Sequence, residues 1–258
     1  GTSAGNHDIF LVKYNSSGVK QWTRQLGTSG HDYGYAVAVD SSGNAFVTGT
    51  VTGGIDGNSF QGTNTPDTFL VKYNSSGTKQ WTKQVGEGAY NIGYDVTTDS
   101  SGNAYVTGYT RGTIDGLSNQ GGVDMFLMKY NSSGTRQWSR MLGTSEDNYG
   151  NGIALDSSNN IYVTGVTEDG LDGNSSAGED DIFLVKYNSS GTKLWTEQLG
   201  TTTNENAYGM ICSDFSPLLN CSISCKVFRG NWSALSFLTS FSLLFICFTI
   251  LLNLSISF

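Results

Sequence analysis

The sequence predicts an all-β fold of short antiparallel strands, and three observations support this prediction. The 258 residues include 34 glycines and only 2 prolines, and Ser, Thr and Asn are abundant. Glycine and asparagine supply the positive φ angles that tight hairpin turns need. Before about residue 230, no segment keeps the 3.6-residue apolar period of an amphipathic helix. The third observation is that strand-like blocks recur along the chain at a nearly constant spacing.

A block of about 20 residues occurs four times. It reads DIFLVKYNSSGVKQWTRQLG from Asp8, and close variants begin at Asp67, Asp124 and Asp181, so the starts are 59, 57 and 57 residues apart. A second block, YAVAVDSSGNAFVTG in its first copy, lies between successive copies of the first. A period of this length indicates a repeat architecture, with one supersecondary unit in each repeat.

Each period contains four strand-like segments in a constant order. Strand one alternates small residues with Tyr35, Val37 and Val39, and the turn SSGN connects it to strand two, AFVTG. Strand three, DIFLVKY, is almost continuously apolar, which is typical of a strand covered on both faces. The turn NSSG leads to strand four, KQWTRQLG. Four strands per repeat predict the blades of a β-propeller.

The predicted propeller is incomplete and occupies residues 1–214. The pattern provides a half blade at 8–26 and three whole blades at about 33–86, 92–143 and 149–200. After Gly209 the repeat pattern stops, and residues 215–258 are predicted to be a non-repeat tail. Since closed propellers have about four to eight blades, and the chain starts in mid-pattern, we interpret the sequence as a fragment.

The tail ends in a hydrophobic segment, residues 234–258, which carries no charge and exceeds the roughly 20 residues that cross a bilayer as a helix. One interpretation is a C-terminal membrane anchor. The other is non-coding or frameshifted sequence appended to a truncated gene. Lys226 and Arg229 precede the segment, so the positive-inside rule would place the repeats in the cytoplasm, which argues against an anchor.

Charge and cysteine content exclude two classes of function. The first 214 residues hold all 22 acidic residues and 12 of the 14 basic ones, and no stripe of Lys or Arg is present to bind a phosphate backbone. Nucleic acid is therefore not an expected partner. Cys212, Cys221, Cys225 and Cys247 all fall in the last 47 residues and lack C-x-x-C spacing, so the sequence predicts neither a zinc site nor a thioredoxin-like motif.

The segments GNAYVTG, DIFLVKYN and SSG, with a following W…LG, resemble the SBBP beta-propeller repeat of bacterial surface and secreted proteins. This resemblance covers about residues 6 to 210. NSSGTKQWTKQ is also similar, through one turn and one Trp, to the repeats of quinoprotein-type propellers. Both resemblances imply the propeller fold and neither implies an activity. The SBBP resemblance implies an extracellular or cell-surface location, with membrane attachment if 234–258 is an anchor.

No catalytic constellation and no cofactor motif is found. His7 and His31 are the only histidines, and neither recurs or has a recognisable nucleophile beside it. The recurring tryptophans provide another candidate site, a carbohydrate-stacking platform. We expect them to pack on the adjacent blade instead, because they keep one structural position in every repeat. These residues are Trp22, Trp81, Trp138 and Trp195.

Acidic loop residues near the third whole blade are candidate calcium ligands, because Ca²⁺ prefers several oxygen atoms. The candidates are Asp169, Asp172, Asp180 and Asp181. The alternating D-x-D-x-D-G spacing of a calcium loop is absent, and Asp-Gly is also common in ordinary turns.

The loops, rather than the turns, are predicted to bind partners. Because successive strands alternate in direction, the four-to-one and two-to-three loops share one face, and the SSGN and NSSG turns share the other. The loop face varies between repeats, either because it recognises a partner or because unconstrained loops drift. Its acidic, tyrosine-bearing character favours a cationic partner, a glycan or calcium. The binding candidates are Tyr33, Tyr90, Tyr149, Asp56, Asp115 and Asp172.

The sequence therefore predicts a non-enzymatic repeat scaffold or interaction module of a cell-surface or secreted protein, with an unidentified protein or glycan as partner. One alternative is a polysaccharide-acting enzyme domain whose catalytic residues lie outside this fragment. Another is a truncated gene product without independent function.

Overall fold

The computed structural model describes residues 4–60, 65–214 and 221–227. Within these ranges the chain forms sixteen strands and a 3-10 turn at Leu171–Gly173, and no helix has the length and apolar character to cross a membrane. The hydrophobic segment 234–258 lies outside the described residues. The strands are β1 (Ile9–Tyr14), β2 (Lys20–Leu26), β3 (Tyr33–Val39), β4 (Ala45–Val51), β5 (Asp67–Tyr73), β6 (Lys79–Val85), β7 (Asn91–Thr98), β8 (Ala104–Thr110), β9 (Asp124–Tyr130), β10 (Arg136–Leu142), β11 (Asn148–Leu155), β12 (Ile161–Thr167), β13 (Asp181–Tyr187), β14 (Lys193–Leu199), β15 (Ala207–Asp214) and β16 (Cys221–Val227).

The strands assemble into three four-stranded antiparallel sheets, and each sheet follows the chain order. These blades are β3-β4-β5-β6, β7-β8-β9-β10 and β11-β12-β13-β14. A two-stranded sheet lies at each end, β1-β2 and β15-β16. The predicted all-β fold, an incomplete propeller with a half blade followed by three whole blades, is confirmed. The hairpin β15-β16 continues the arc after the sequence repeat has ended, and β16 falls within the predicted tail.

Strands two and three form the interior of each blade because neighbouring blades cover both of their faces. Every residue of β4 and β5 is buried. The half blade shows what this covering provides. Phe69, Phe126 and Phe183 in strand three are fully buried, whereas the equivalent Phe10 is 75% exposed. Phe10 has no strand two beside it, so the same residue type at the same repeat position stays in contact with water.

Strand one lies innermost, since β3, β7, β11 and β15 contact one another in succession. In each of the three whole blades, a β-bulge interrupts the pairing of strands one and two at the same place, for example between Gly34 and Ala36. Opposite that bulge, a Cβ on Gly49 would lie 1.9 Å from the carbonyl oxygen of Tyr33. Only glycine fits there, which explains the recurring V-T-G of strand two.

The recurring NSSG turn connects each blade to the preceding one. Lys72 Nζ and Trp81 Nε1 both donate hydrogen bonds to the carbonyl oxygen of Ser132 in the next blade, at 3.1 and 3.2 Å. The Trp81 ring also lies against Gly134 of that turn. The same contacts recur for Lys13 and Trp22 on Ser75, and for Lys129 on Ser189.

Arginines in strand four add to this connection. Arg140 Nε donates a 2.6 Å hydrogen bond to the carbonyl oxygen of Gly191, and Arg24 makes the equivalent bonds to Gly77 and Ser76. The turn is therefore held through its main-chain carbonyls, and its side chains stay small. The predicted grouping of the two turn types on one face is also observed, since Gly43 of the SSGN turn lies beside Ser75.

Gly134→Ala is expected to destabilise the protein more than Gly18→Ala. Both glycines have φ between +74° and +80° at the same turn position, so both substitutions carry the cost of a left-handed alanine, about 1 kcal/mol. A Cβ at Gly134 would also lie 2.8 Å from Trp81, whereas no atom lies within 4 Å at Gly18. The extra overpacking cost is about 1–3 kcal/mol. Urea unfolding measures it, and equal losses in the two variants would contradict the proposed role of the turn in blade packing.

Candidate functional site

The strand-one bulges surround a depression of about 580 Å³ near the loop face. We call it the tyrosine depression. Its walls come from the inner strands, from β12 and the loop that follows it, and from the loop before β15. The lining residues are Tyr35, Tyr94, Tyr149, Asn151, Val166, Glu168, Asp180, Asn206 and Tyr208.

The repeat itself assembles one wall of the depression. Tyr35, Tyr94 and Asn151 are the extra residues at the bulges of β3, β7 and β11, and Tyr208 lies at the corresponding register shift of β15. An extra residue in a strand stays outside the hydrogen-bond ladder and turns its side chain away from the regular alternation. The Asn151 side chain donates a 2.9 Å hydrogen bond to the carbonyl oxygen of Ala207 and ties β11 to β15.

The tyrosine rings form a continuous row. Ring centroids lie 5.5 Å apart for Tyr35 and Tyr94, 5.6 Å for Tyr94 and Tyr109, and 5.0 Å for Tyr109 and Tyr149. These tilted and edge-to-face contacts are favourable for aromatic rings. Burial raises the pKa of Tyr94, and it raises the pKa of Tyr109 to about 12. A side-chain hydrogen bond also joins Tyr94 and Tyr109.

Two carboxylates on the loop side give the depression negative charge. Burial, followed by the charges of Asp147, Asp180 and Glu146, raises the pKa of Glu168. Burial and the neighbouring Glu179 are the largest causes that raise the pKa of Asp180. Among the residues that the structure describes, neither carboxylate has a salt-bridge partner. The arrangement can therefore attract a positively charged group and repel anions.

The predicted binding aspartates lie elsewhere, on the outer rim of the blades. The carboxylate of Asp56 accepts bonds from Lys79 and Thr82 in strand four of its own blade. Asp115 binds Arg136 and Ser139, and Asp172 binds Lys193 and Thr196, in the same way. Three ladder spacings, about 14 Å, separate strand four from strand one. These aspartates hold the two-to-three loop against an edge strand and do not join the tyrosines.

The hydrophobic residue before each of these aspartates explains why the loop folds over the rim. Ile55, Ile114 and Leu171 are buried and belong to the three main core clusters. The recurring [IL]-D-G motif thus provides an apolar residue for the core, an aspartate that binds strand four and a glycine with positive φ.

The predicted tyrosines divide between three places. Tyr149 lines the depression, and Tyr33 lies beside it, with its ring 6.4 Å from that of Tyr35. Tyr90 lies apart, under the guanidinium group of Arg111 at 5.6 Å. Tyr35, Tyr94 and Tyr208 also line the depression and were not predicted as site residues. The available signal was the tyrosine that follows the strand-one glycine, in Gly34-Tyr35 and Gly93-Tyr94.

The candidate calcium ligands have separate roles. Asp181 is buried, and its Oδ2 accepts hydrogen bonds from the Ala177 main chain and the Gln198 side chain at 2.9 and 2.7 Å. Asp172 binds Lys193 on strand four, Asp169 accepts a hydrogen bond from the Gly170 main chain, and Asp180 lines the depression. In the described part of the chain, no group of three or more His, Cys, Asp or Glu side chains is placed to hold a metal ion. Calcium binding stays a prediction.

The two histidines lie together, which the sequence did not predict. The Nδ1 atoms of His7 and His31 are 2.6 Å apart, and the Tyr33 hydroxyl lies 3.4 Å from the first of them. Both histidines are exposed and extend the aromatic row toward the half blade.

The double substitution Glu168→Gln and Asp180→Asn is expected to raise the melting temperature at pH 7. A carboxyl whose pKa is raised by folding stabilises the fold below its unfolded pKa, near 4, and loses that contribution as the pH rises through the folded pKa. The gain should therefore disappear at pH 3. Thermal unfolding at both pH values measures it, with Glu197→Gln on the outer strand as the control. An equal gain at pH 3 would contradict the electrostatic cause.

Comparisons with known proteins agree with this architecture. The family described as "Beta-propeller repeat" (SBBP) matches residues 21–60, 80–114 and 137–171. An uncharacterized WD repeat-containing protein of Acanthamoeba polyphaga mimivirus is 28% identical over 266 residues, covering 80% of this chain and 19% of that protein. The Regulatory protein FlaEY of Caulobacter vibrioides is 28% identical over 179 residues, covering 64% of this chain and 19% of that protein. The chain thus spans about a fifth of the length of these curated relatives.

A solved structure, a protein of unknown function from Bacteroides caccae, aligns over 85% of this chain and 66% of its own, with a TM-score of 0.44 and 11% identity.

The three family matches keep a constant register on the fold. Each begins in strand four of one blade and continues through strands one and two of the next. Residues 21–171 of the chain are therefore built from SBBP beta-propeller repeats.

Proposed function

We propose that this chain is a non-enzymatic scaffold that binds a partner through its loop face. The main support is the difference between the two faces. On the turn face, the main-chain carbonyls of the NSSG turns accept hydrogen bonds from the preceding blade. On the loop face, the tyrosine depression combines aromatic rings with two carboxylates that make no ion pair among the described residues. A rigid scaffold that carries variable loops is a common arrangement for recognition.

The curated relatives support the coarse form of this proposal. One is described as a WD repeat-containing protein and the other as a regulatory protein, and an interaction module is compatible with both descriptions. A cell-surface or secreted location is part of the proposal and rests on the resemblance to the SBBP family. Fractionation of the source organism, followed by detection with an antibody against the repeats, tests it. Recovery in the cytoplasmic fraction alone would contradict that location.

One observation favours a second candidate, a polysaccharide-acting domain. Glu168 and Asp180 line the same depression, and both have a raised pKa, a property required of the general acid in glycoside hydrolysis. A hydrolase screen on purified protein distinguishes the candidates. Turnover that is lost in Glu168→Gln would favour the enzyme over the scaffold.

The scaffold proposal predicts that partner binding depends on one face. Wild-type protein and two variants are immobilised, and the proteins retained from an extract of the source organism are quantified by mass spectrometry. The loop-face variant carries Glu168→Lys and Asp180→Lys. The matched turn-face variant carries Ser133→Lys and Ser190→Lys, at exposed positions of two NSSG turns.

We expect the turn-face variant to retain the same partners as wild type and the loop-face variant to lose them by at least about tenfold, because reversing two charges beside the depression replaces attraction with repulsion. Equal retention by both variants would contradict binding through the loop face. Circular dichroism and melting curves of the three proteins serve as the control for folding.

A further inference from the structure

We propose that the tyrosine depression binds a lysine side chain of the partner protein and holds its ammonium group between the tyrosine rings and the carboxylates of Glu168 and Asp180. This inference rests on the proposed function, because it assigns a ligand to the same face.

The tyrosines are the first reason. The faces of aromatic rings attract cations within about 6 Å of the ring centroid. The blades already use this interaction internally, since Lys129 Nζ lies 5.0 Å from the ring centroid of Tyr105 and Lys186 Nζ lies 4.7 Å from that of Tyr162. No Lys or Arg is among the residues that line the depression. Tyr35 is 46% exposed there, so its ring is accessible to an external cation.

The carboxylates are the second reason. On the outer rim, the loop carboxylates pair with cations, as Asp56 does with Lys79 and Asp172 with Lys193. In the depression, Glu168 and Asp180 repel each other, and this repulsion contributes to the raised pKa of Glu168. A cation placed between them relieves the repulsion. The two carboxylates come from opposite ends of the loop between β12 and β13, so they enclose the depression from that loop.

The chemistry of the walls selects an ammonium group over the alternatives. Ca²⁺ takes six to eight oxygen ligands, and the described residues contain no group of three or more metal-ligating acidic side chains, histidines or cysteines. An arginine fork is best matched by both oxygens of one carboxylate, whereas an ammonium group has three donors that can reach two separate carboxylates. The aliphatic part of a lysine side chain can also pack on Val166 and the tyrosine rings.

A titration with a single small probe tests the inference. The probe is Nα-acetyl-lysine methylamide, and its neutral counterpart carries an Nε-acetyl group. Binding is followed by NMR through the tyrosine ring signals of the full chain at constant ionic strength. We expect saturable shifts with the charged probe and none with the neutral one. Glu168→Gln and Tyr35→Leu should each weaken binding roughly three- to fivefold.

Glu197→Gln is the matched control, because it removes one negative charge from an exposed position on the outer strand β14. It should change the affinity by less than about twofold, since salt screens distant surface charges. Three results would overturn the inference: equal binding of the neutral probe, equal weakening by Glu197→Gln, or displacement of the probe by Ca²⁺ with no effect of Tyr35→Leu. If the probe fails while the loop-face variant still loses its partners, the scaffold proposal stands and the lysine assignment is wrong.

Discussion

The structure depends on the contact between the NSSG turn of one blade and strands three and four of the blade before it. Lysine, tryptophan and arginine donors converge on main-chain carbonyls of the turn, as Lys72 and Trp81 do on Ser132. Lys72 is buried, so its bond also satisfies a charged group whose burial would otherwise be costly. The tryptophan ring packs directly on the turn because the glycine there has no side chain. Each sequence repeat thus encodes one copy of this interface between blades.

This interface also explains why the turn face varies less between the repeats of this chain than the loop face does. A turn whose carbonyls and glycine belong to the interface with the preceding blade has little freedom to change, and the lysine of strand three and the tryptophan of strand four recur in every blade. The loops on the other face have fewer such obligations. The [IL]-D-G motif is the exception, because its apolar residue enters the core and its aspartate clasps strand four at Lys79, Arg136 or Lys193. Strand four is an edge strand, and covering it limits pairing with other chains.

The tyrosine depression arises from a small irregularity of the same repeat. One extra residue in strand one, at Tyr35, Tyr94 and Asn151, leaves the ladder and lines the inner rim. Glycine in strand two makes room for the bulged backbone, so the cost of the irregularity is distributed over two strands. The arc then brings these side chains to one place, together with Glu168 and Asp180 from a loop. Concentrated like charge of this kind opposes folding, which is common where a surface is kept for binding.

The strands, their grouping into blades and the incomplete propeller could be predicted from the sequence, because strand patterns and turn chemistry act over a few residues and here repeat several times. The packing of tryptophans such as Trp81 on the adjacent blade could also be predicted. Which acidic residues meet the tyrosines depends on tertiary contacts and could not be predicted from the sequence. Asp56 and Glu168 both look like acidic loop residues in the sequence. Asp56 binds Lys79 on strand four, whereas Glu168 lines the tyrosine depression. This difference depends on how the loop crosses the blade edge. Contacts between residues far apart in the chain, such as His7 with His31, are set by the curvature of the arc, which no local pattern encodes.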